Sequence, residues 1–98
     1  MERVIVAPGT LDLERRAAFR RRAEDALDRL PDGATLVVDL AATRGVDSAG
    51  LGVLVVVQRR AAARRQTVRL ANVGEELRSL LVLSRLADLF AMESGGSA

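Results

Sequence analysis

An alternation of short apolar runs with longer amphipathic segments is the strongest constraint on the fold of this chain. The runs at 4–6, 34–40 and 67–73 are short and rich in β-branched residues, which is typical of strands. The segments that follow them carry apolar residues at helical spacing, with charged residues on the remaining faces. Because strand–helix–strand units connect through right-handed crossovers, the sequence predicts an α/β domain with at least one parallel strand pair and helices on one face of the sheet.

Three helices are predicted in the segments that follow the strands. Asp12 precedes the first helix as its N-cap, and a turn at 31–33 ends it. The segment 41–45 is predicted to be a loop that leads to the second helix. The predicted helices cover 13–30, 51–63 and 75–83.

The length and composition predict one domain and exclude much catalytic chemistry. The chain has 98 residues, 49% of them hydrophobic, so we expect a single domain over 1–92 and a disordered tail over 93–98. It contains no Cys and no His, which excludes disulfides, thiolate nucleophiles and the most common general base and metal ligand. The sequence therefore predicts a protein that is not an enzyme and that has no metal site or cofactor.

Charge and hydropathy patterning argue against membrane insertion and nucleic-acid binding. No signal pattern opens the chain, and the longest apolar stretch, at 49–57, is far shorter than the roughly 20 residues that span a bilayer. The Arg clusters at 20–22 and 59–65 are interpreted as solvated helix faces, because the net charge is only +2. The second cluster remains open as a docking surface for an acidic partner. We expect a cytoplasmic protein.

The most informative segment is 37–52, which predicts a strand, a loop and the start of a helix. Asp47 and Ser48 lie at this helix start, where the first backbone N–H groups have no partners within the helix. Either residue fits an N-cap, and Ser48 also fits a phosphorylation site whose phosphate lies near free donors. A hydrolase nucleophile is excluded, because Gly45 lies three residues before Ser48 instead of two and no His is present to accept the proton.

The glycines and leucines that follow Ser48 are interpreted structurally. Gly50 and Gly52 match neither the dinucleotide fingerprint nor a P-loop, and the chain contains no Lys. We interpret them as residues that let the helix start lie close to the neighbouring loop. Leu51 and Leu54 supply either contact area for a partner or core, and both alternatives stay open.

A set of motifs carries a family resemblance from about Gly9 to Phe90. The most specific is Asp-Ser-x-Gly-Leu-Gly, which begins at Asp47 and follows a strand that ends in Asp39-Leu40. The other matching segments are Gly9-Thr10-Leu11-Asp12, 68–73, 77–81 and 83–90. In order and spacing these motifs resemble the STAS domain family, and within it the bacterial anti-sigma factor antagonists.

The resemblance implies a small mixed sheet with helices packed on one face, and a function in partner switching. The unmodified antagonist would bind an anti-sigma factor that is also a serine kinase, and so free the sigma factor. The kinase would then phosphorylate Ser48, and a phosphatase of the metal-dependent class would restore it. The surface around the phosphorylation site would comprise Asp12, Asp47, Ala49, Gly50 and Leu51.

A second function within the same resemblance is that of a STAS accessory subunit. Such a subunit would steady the ATPase of a membrane transport complex, and the hydroxyl of Ser48 would contact that ATPase without being modified.

The chain also departs from the family pattern. One strand of the usual opening hairpin is missing, so the sheet is expected to be smaller or to have an open edge. Gly45 stands where a bulky apolar residue is usual, Ala49 replaces a frequent second Ser, and Arg85 occupies a position that is often Gly. None of these differences removes Ser48 as the phosphate acceptor.

Overall fold

The computed structural model describes residues 1–92, and the tail predicted at 93–98 lies outside the described residues. The three helices alternate with the strands, as the sequence predicts. In chain order the elements are β1 (Glu2–Val6), β2 (Thr10–Leu11), α1 (Arg16–Asp28), β3 (Thr35–Asp39), β4 (Gly45–Val46), α2 (Ser48–Ala63), β5 (Thr67–Ala71), α3 (Glu75–Leu83), a 3₁₀ turn (Ala87–Leu89) and β6 (Ala91–Met92).

The strands form two sheets. The larger sheet has the strand order β1-β3-β5-β6, and β2 pairs with β4 separately. The α/β class is confirmed, and within residues 1–92 the strand pairs are all parallel, where a mixed sheet was expected. β1 lies at an edge of the larger sheet, so the edge that was expected to be open has no partner strand within this part of the chain.

One face of the larger sheet carries the core, as strand alternation requires. Leu36, Val38 and Leu70 have no exposed surface and belong to one apolar cluster with residues of all three helices. On the other face, Val4 and Val6 remain 56% and 51% exposed. The helices therefore pack on one face of the sheet, as predicted. Their largest contributions to the cluster are Phe19, Leu27, Leu54, Leu77 and Leu81.

The first helix begins later than its sequence pattern suggests. Asp12 makes the expected capping bond, because its Oδ1 accepts the N–H of Arg15 at 3.0 Å. Residues 13–15 nevertheless form a turn, and α1 begins at Arg16. Leu13 is 61% exposed, so the first apolar residue of the pattern does not contribute the core contact that would hold another helical turn in place.

Ion pairs connect the C-terminal halves of α1 and α2. Asp28 of α1 lies 3.0 Å from Arg60 and 2.5 Å from Arg64 of α2, and Glu24 lies 3.7 Å from Arg60. The hydrogen bond from Arg60 is the main cause that lowers the pKa of the Asp28 carboxyl. Two arginines of the cluster at 59–65 are therefore engaged within the domain, which weakens the case for that cluster as a docking surface.

Gln66 is a buried polar residue that joins the start of β5 to the end of α1. Its Nε2 donates to the carbonyl oxygens of Leu27 at 2.8 Å and of Leu30 at 2.9 Å. Its Oε1 accepts no hydrogen bond within residues 1–92. The carbonyl of Leu27 also accepts the N–H of Leu30 at 3.1 Å, so the bond from Gln66 matters most for the carbonyl of Leu30.

Replacing Gln66 by Leu should lower the free energy of unfolding by about 1.5 kcal/mol, because the carbonyl groups of Leu27 and Leu30 lose a buried donor. The loss is moderated because the substitution also removes the buried Oε1 that has no donor. Urea denaturation measures the change, with Gln58→Leu on the partly exposed face of α2 as the control. Equal stability of the two variants would contradict this role of Gln66.

The end of α3 explains why Gly is frequent at the position of Arg85. Leu86 donates its N–H to the carbonyl of Leu81 at 2.8 Å, and Arg85 donates to Val82 at 3.1 Å. These two bonds define a Schellman motif, which needs a residue in the left-handed region. Arg85 has a φ of 57°, so it occupies that region without the freedom of glycine.

The Arg85→Gly substitution should therefore raise the free energy of unfolding by about 1 kcal/mol and the melting temperature by about 5 °C. The matched control is Ser84→Gly one residue earlier, where φ is −87° and glycine only adds freedom to the unfolded chain. We expect that control to lose about 0.5 kcal/mol. A calorimetric scan in which both variants melt below the parent would contradict the prediction.

Candidate functional site

The structure at the start of α2 shows which of Asp47 and Ser48 caps the helix. Asp47 is the N-cap, and its Oδ1 accepts the N–H of Gly50 at 2.9 Å. Its carbonyl accepts the N–H of Leu51, also at 2.9 Å. Ser48 is the first helical residue and is exposed, and its hydroxyl makes no hydrogen bond with any residue of the described chain. The capping function therefore belongs to Asp47, and the hydroxyl of Ser48 stays available.

A short two-stranded ribbon holds the loop before Ser48 in place. Thr10 and Leu11 of β2 pair in parallel with Gly45 and Val46 of β4. The ribbon continues at both ends, because Arg44 donates to the carbonyl of Gly9 at 2.8 Å and Asp47 donates to that of Leu11 at 3.3 Å. The segment predicted as a loop therefore ends in a strand, and backbone bonds position the start of α2.

Gly50 lies against the backbone of this ribbon. A Cβ atom built at Gly50 would lie 2.1 Å from the carbonyl oxygen of Leu11, far inside contact distance. The interpretation that glycine allows close approach is confirmed for Gly50. It is wrong for Gly52, where a Cβ atom would meet nothing within 4 Å. Asp12 follows Leu11 in the chain, so this contact also brings Asp12 close to the start of α2.

The residues expected around Ser48 differ in how much surface they offer. Asp12 is partly buried, and both the N–H and the guanidinium of Arg15 donate to its carboxylate at 3.0 Å. Ala49 is partly buried, and Leu51 is partly buried against the core cluster. Leu54 has no exposed surface and is core, which decides the alternative that the sequence leaves open.

A groove between α1 and α2 contains residues that the sequence analysis did not connect with Ser48. Its volume is about 630 Å³, with arginines on the α1 side and small or apolar residues on the α2 side. Four-residue spacing in the sequence shows which residues share a face of each helix, but only the structure shows that these two faces meet. From α1 the groove is lined by Arg16, Ala17, Arg20, Arg21 and Glu24, and from α2 by Ser48, Ala49, Gly52, Val53 and Val56.

Asp39 anchors the other end of the loop that leads to Ser48. Its Oδ1 accepts hydrogen bonds from Asn72 Nδ2 at 2.8 Å and from the N–H of Ala41 at 2.9 Å. These bonds, first that from Asn72, lower the pKa of the Asp39 carboxyl. The stabilisation is therefore present above the unfolded pKa of about 3.9, and it is lost as the pH falls through the lower folded pKa.

Comparison with known sequences identifies the family of this chain. A family model described as "Mlab, STAS domain" matches residues 2–92. The chain belongs to the STAS domain family. Within residues 1–92, none of the helices of this STAS domain has the length and apolar character needed to cross a membrane.

Solved structures support the same fold for this STAS domain. A Thermotoga maritima protein, provisionally described as an anti-sigma factor antagonist, superposes with a TM-score of 0.76 at 22% identity over 95% of this chain and 80% of its own. A protein from Planctomyces limnophilus, described as an anti-sigma-factor antagonist (STAS) domain protein, gives 0.78 at 14% identity over 93% and 80%. A sulfate transporter family protein from Wolinella succinogenes gives 0.66 at 14% over 96% and 78%.

At these identities the structural likeness establishes the fold alone. No curated protein sequence matches this chain significantly.

Proposed function

We propose that this STAS domain is an anti-sigma factor antagonist that acts by phosphorylation-dependent partner switching, with Ser48 as the phosphate acceptor. The observation that carries the proposal is the exposed hydroxyl of Ser48 at the first residue of α2, next to an Asp47 that already caps the helix. A kinase can reach such a hydroxyl without breaking a bond within the domain. The structures of proteins described as antagonists support the same function.

In this mechanism the unmodified domain binds an anti-sigma factor serine kinase through the surface around Ser48, and the sigma factor is released. Phosphorylation adds about 1.5 to 2 negative charges to a surface that the kinase buries, so the complex separates. A phosphatase then restores the hydroxyl. Asp12 and Asp47 increase the negative charge near the phosphate, while Leu51 contributes its exposed part as apolar contact area.

The surroundings of Ser48 favour a substrate over a nucleophile. The carboxylate of Asp47 accepts a hydrogen bond from Gly50, and that of Asp12 accepts bonds from Arg15. Both carboxylates are thus engaged elsewhere, and the chain has no His to act as a general base. Ser48 therefore receives a phosphate in a reaction that the kinase catalyses.

The proposal is tested by incubating the domain with ATP and its cognate anti-sigma kinase, followed by peptide mass spectrometry. We expect one phosphate, on Ser48, and none in Ser48→Ala. Ser79→Ala is the matched control, because Ser79 is also exposed but lies on α3. Phosphorylation of Ser48→Ala to the same extent as the parent would overturn the assignment of the acceptor.

A second candidate function is that of an accessory subunit of a membrane transport ATPase. The structural likeness to a sulfate transporter family protein favours it only as far as a connection of this fold with membrane transport. Affinity purification from native lysate separates the two candidates. An associated kinase of the histidine-kinase-like ATPase fold supports the antagonist, and a transporter ATPase supports the accessory subunit.

A further inference from the structure

The ion pairs between α1 and α2 define how the two helices lie against each other. Residues four positions apart share one face of a helix, so the paired residues belong to one row of side chains on each helix. Glu24 pairs with Arg60, and Asp28 pairs with Arg60 and Arg64. Counting back by turns from these pairs to the start of α1 aligns the row Arg16, Arg20, Glu24 and Asp28 with the row Gly52, Val56, Arg60 and Arg64, and Ser48 lies one turn before Gly52 on α2.

An independent contact supports this alignment at its N-terminal end. The carbonyl of Leu11 meets Gly50, and Asp12 is the next residue. Ser48 and Arg16 also line the same groove. Arg16 therefore lies about one helical turn along the groove from the position opposite Ser48.

The charges on the two rows are unevenly matched. In the C-terminal half, acidic residues of α1 face arginines of α2. In the N-terminal half, Arg16 and Arg20 of α1 face Ser48, Gly52 and Val56, which carry no charge. Arg20 is paired with Glu24 of its own helix at 3.1 Å, whereas Arg16 and Arg21 form no ion pair within residues 1–92. Arg21 lies more than one turn beyond Arg16 along α1, so Arg16 is the unpaired arginine nearer to Ser48.

We propose that Arg16 binds the phosphate of phosphorylated Ser48 across the groove between α1 and α2. This inference rests on the proposed function, because it takes Ser48 as the phosphate acceptor. Arginine bridges these two helices across one turn elsewhere, since Arg60 contacts Glu24 and also reaches Asp28, one turn farther along α1, at 3.0 Å. A phosphoserine extends farther from the backbone than an aspartate and offers three strong acceptor oxygens.

The phosphate then completes the row of ion pairs between the helices. The positive end of the helix dipole at the start of α2 favours an anion at the same place. Phosphorylation thus changes the partner surface in two ways, because it adds a dianion and also withdraws the Arg16 guanidinium from contact with a partner. The phosphorylated domain is in consequence more stable than the unmodified one.

The test uses phosphoserine incorporated at position 48 during translation, so no kinase is needed. Phosphorus NMR then measures the second pKa of the phosphate in the parent, in Arg16→Gln and in the matched control Arg22→Gln. Arg22 is also exposed on α1 but lines the cavity beside β1. Asp12, Arg15 and Asp47 are present in all three proteins, so their effects on the phosphate cancel.

We expect Arg16→Gln to raise the second pKa of the phosphate by roughly half a unit, because the dianion loses its cation, and Arg22→Gln to leave it unchanged. The phosphorylated parent should also melt a few degrees above the unmodified parent, and Arg16→Gln should lose that gain. Equal phosphate pKa values in the parent and in Arg16→Gln would overturn the proposal.

The phosphate pKa measurement and the kinase test can fail independently of each other. A failure of the cognate kinase to modify Ser48 would count against the antagonist, whereas the phosphate pKa in the translated phosphoprotein reports only on Arg16.

Discussion

Under the proposed partner switching, the Ser48→Asp variant should bind the anti-sigma kinase at least about 100-fold more weakly than the parent, because a permanent negative charge on a surface that the kinase covers costs several kcal/mol. Ser48→Ala should bind like the parent and accept no phosphate, because the exposed hydroxyl has no bond within the described chain to lose. Isothermal calorimetry with the purified kinase measures both affinities.

The matched control for this charge is Ala62→Asp. Ala62 is exposed on the same helix, about four turns from Ser48, so the variant adds the same charge away from the proposed contact surface. Its affinity should stay within about threefold of the parent. Unchanged affinity of Ser48→Asp would contradict partner switching at this serine.

The Gly50→Ala substitution should lower the free energy of unfolding by about 3 kcal/mol, which is a large part of the stability of a small domain. Its Cβ would lie 2.1 Å from the carbonyl oxygen of Leu11, and neither can turn away, because Cβ is fixed to the α2 backbone and the carbonyl accepts the N–H of Asp47. Relief requires α2 to move away from β2, which breaks the bond from Asp47 to Leu11.

The control for Gly50→Ala is Gly52→Ala, two residues farther along the same helix. There the added Cβ meets nothing within 4 Å, and alanine favours the helix, so stability should rise by about 0.5 to 1 kcal/mol. Urea denaturation of the two variants measures the difference directly. A Gly50→Ala variant as stable as Gly52→Ala would show that the contact with Leu11 does not restrain α2.

The parts of the fold that the sequence predicts are those with enough residues to show a period. β3, β5 and the three helices follow from apolar spacing, and Pro31 and Gly33 mark the turn after the first helix. β2, β4 and β6 have two residues each, too few to show alternation, and they exist because neighbouring backbone offers hydrogen bonds. Only tertiary structure reveals such strands.

The candidate site, like the fold, could be predicted from the sequence only in part. The sequence identifies Asp47 and Ser48 as rivals for the cap, because both residue types accept from the first N–H groups of a helix. It cannot choose between them, since the choice depends on the backbone of Asp47, which is extended at φ −94° and ψ −174°. The place of Arg16 beside Ser48 depends on how two helices 32 residues apart in the chain align, which no local pattern contains.

Main-chain atoms of β2 and β4 hold the serine in register, since the bonds from Arg44 to Gly9 and from Asp47 to Leu11 involve no side chain. Most outward-facing side chains near Ser48 can therefore be exchanged during evolution without displacing the hydroxyl. Under the proposed function, related domains would then be able to diverge in the kinase that each recognises while keeping the same chemistry at the serine. Substitutions at the surface alone would then prevent one signalling pathway from activating another.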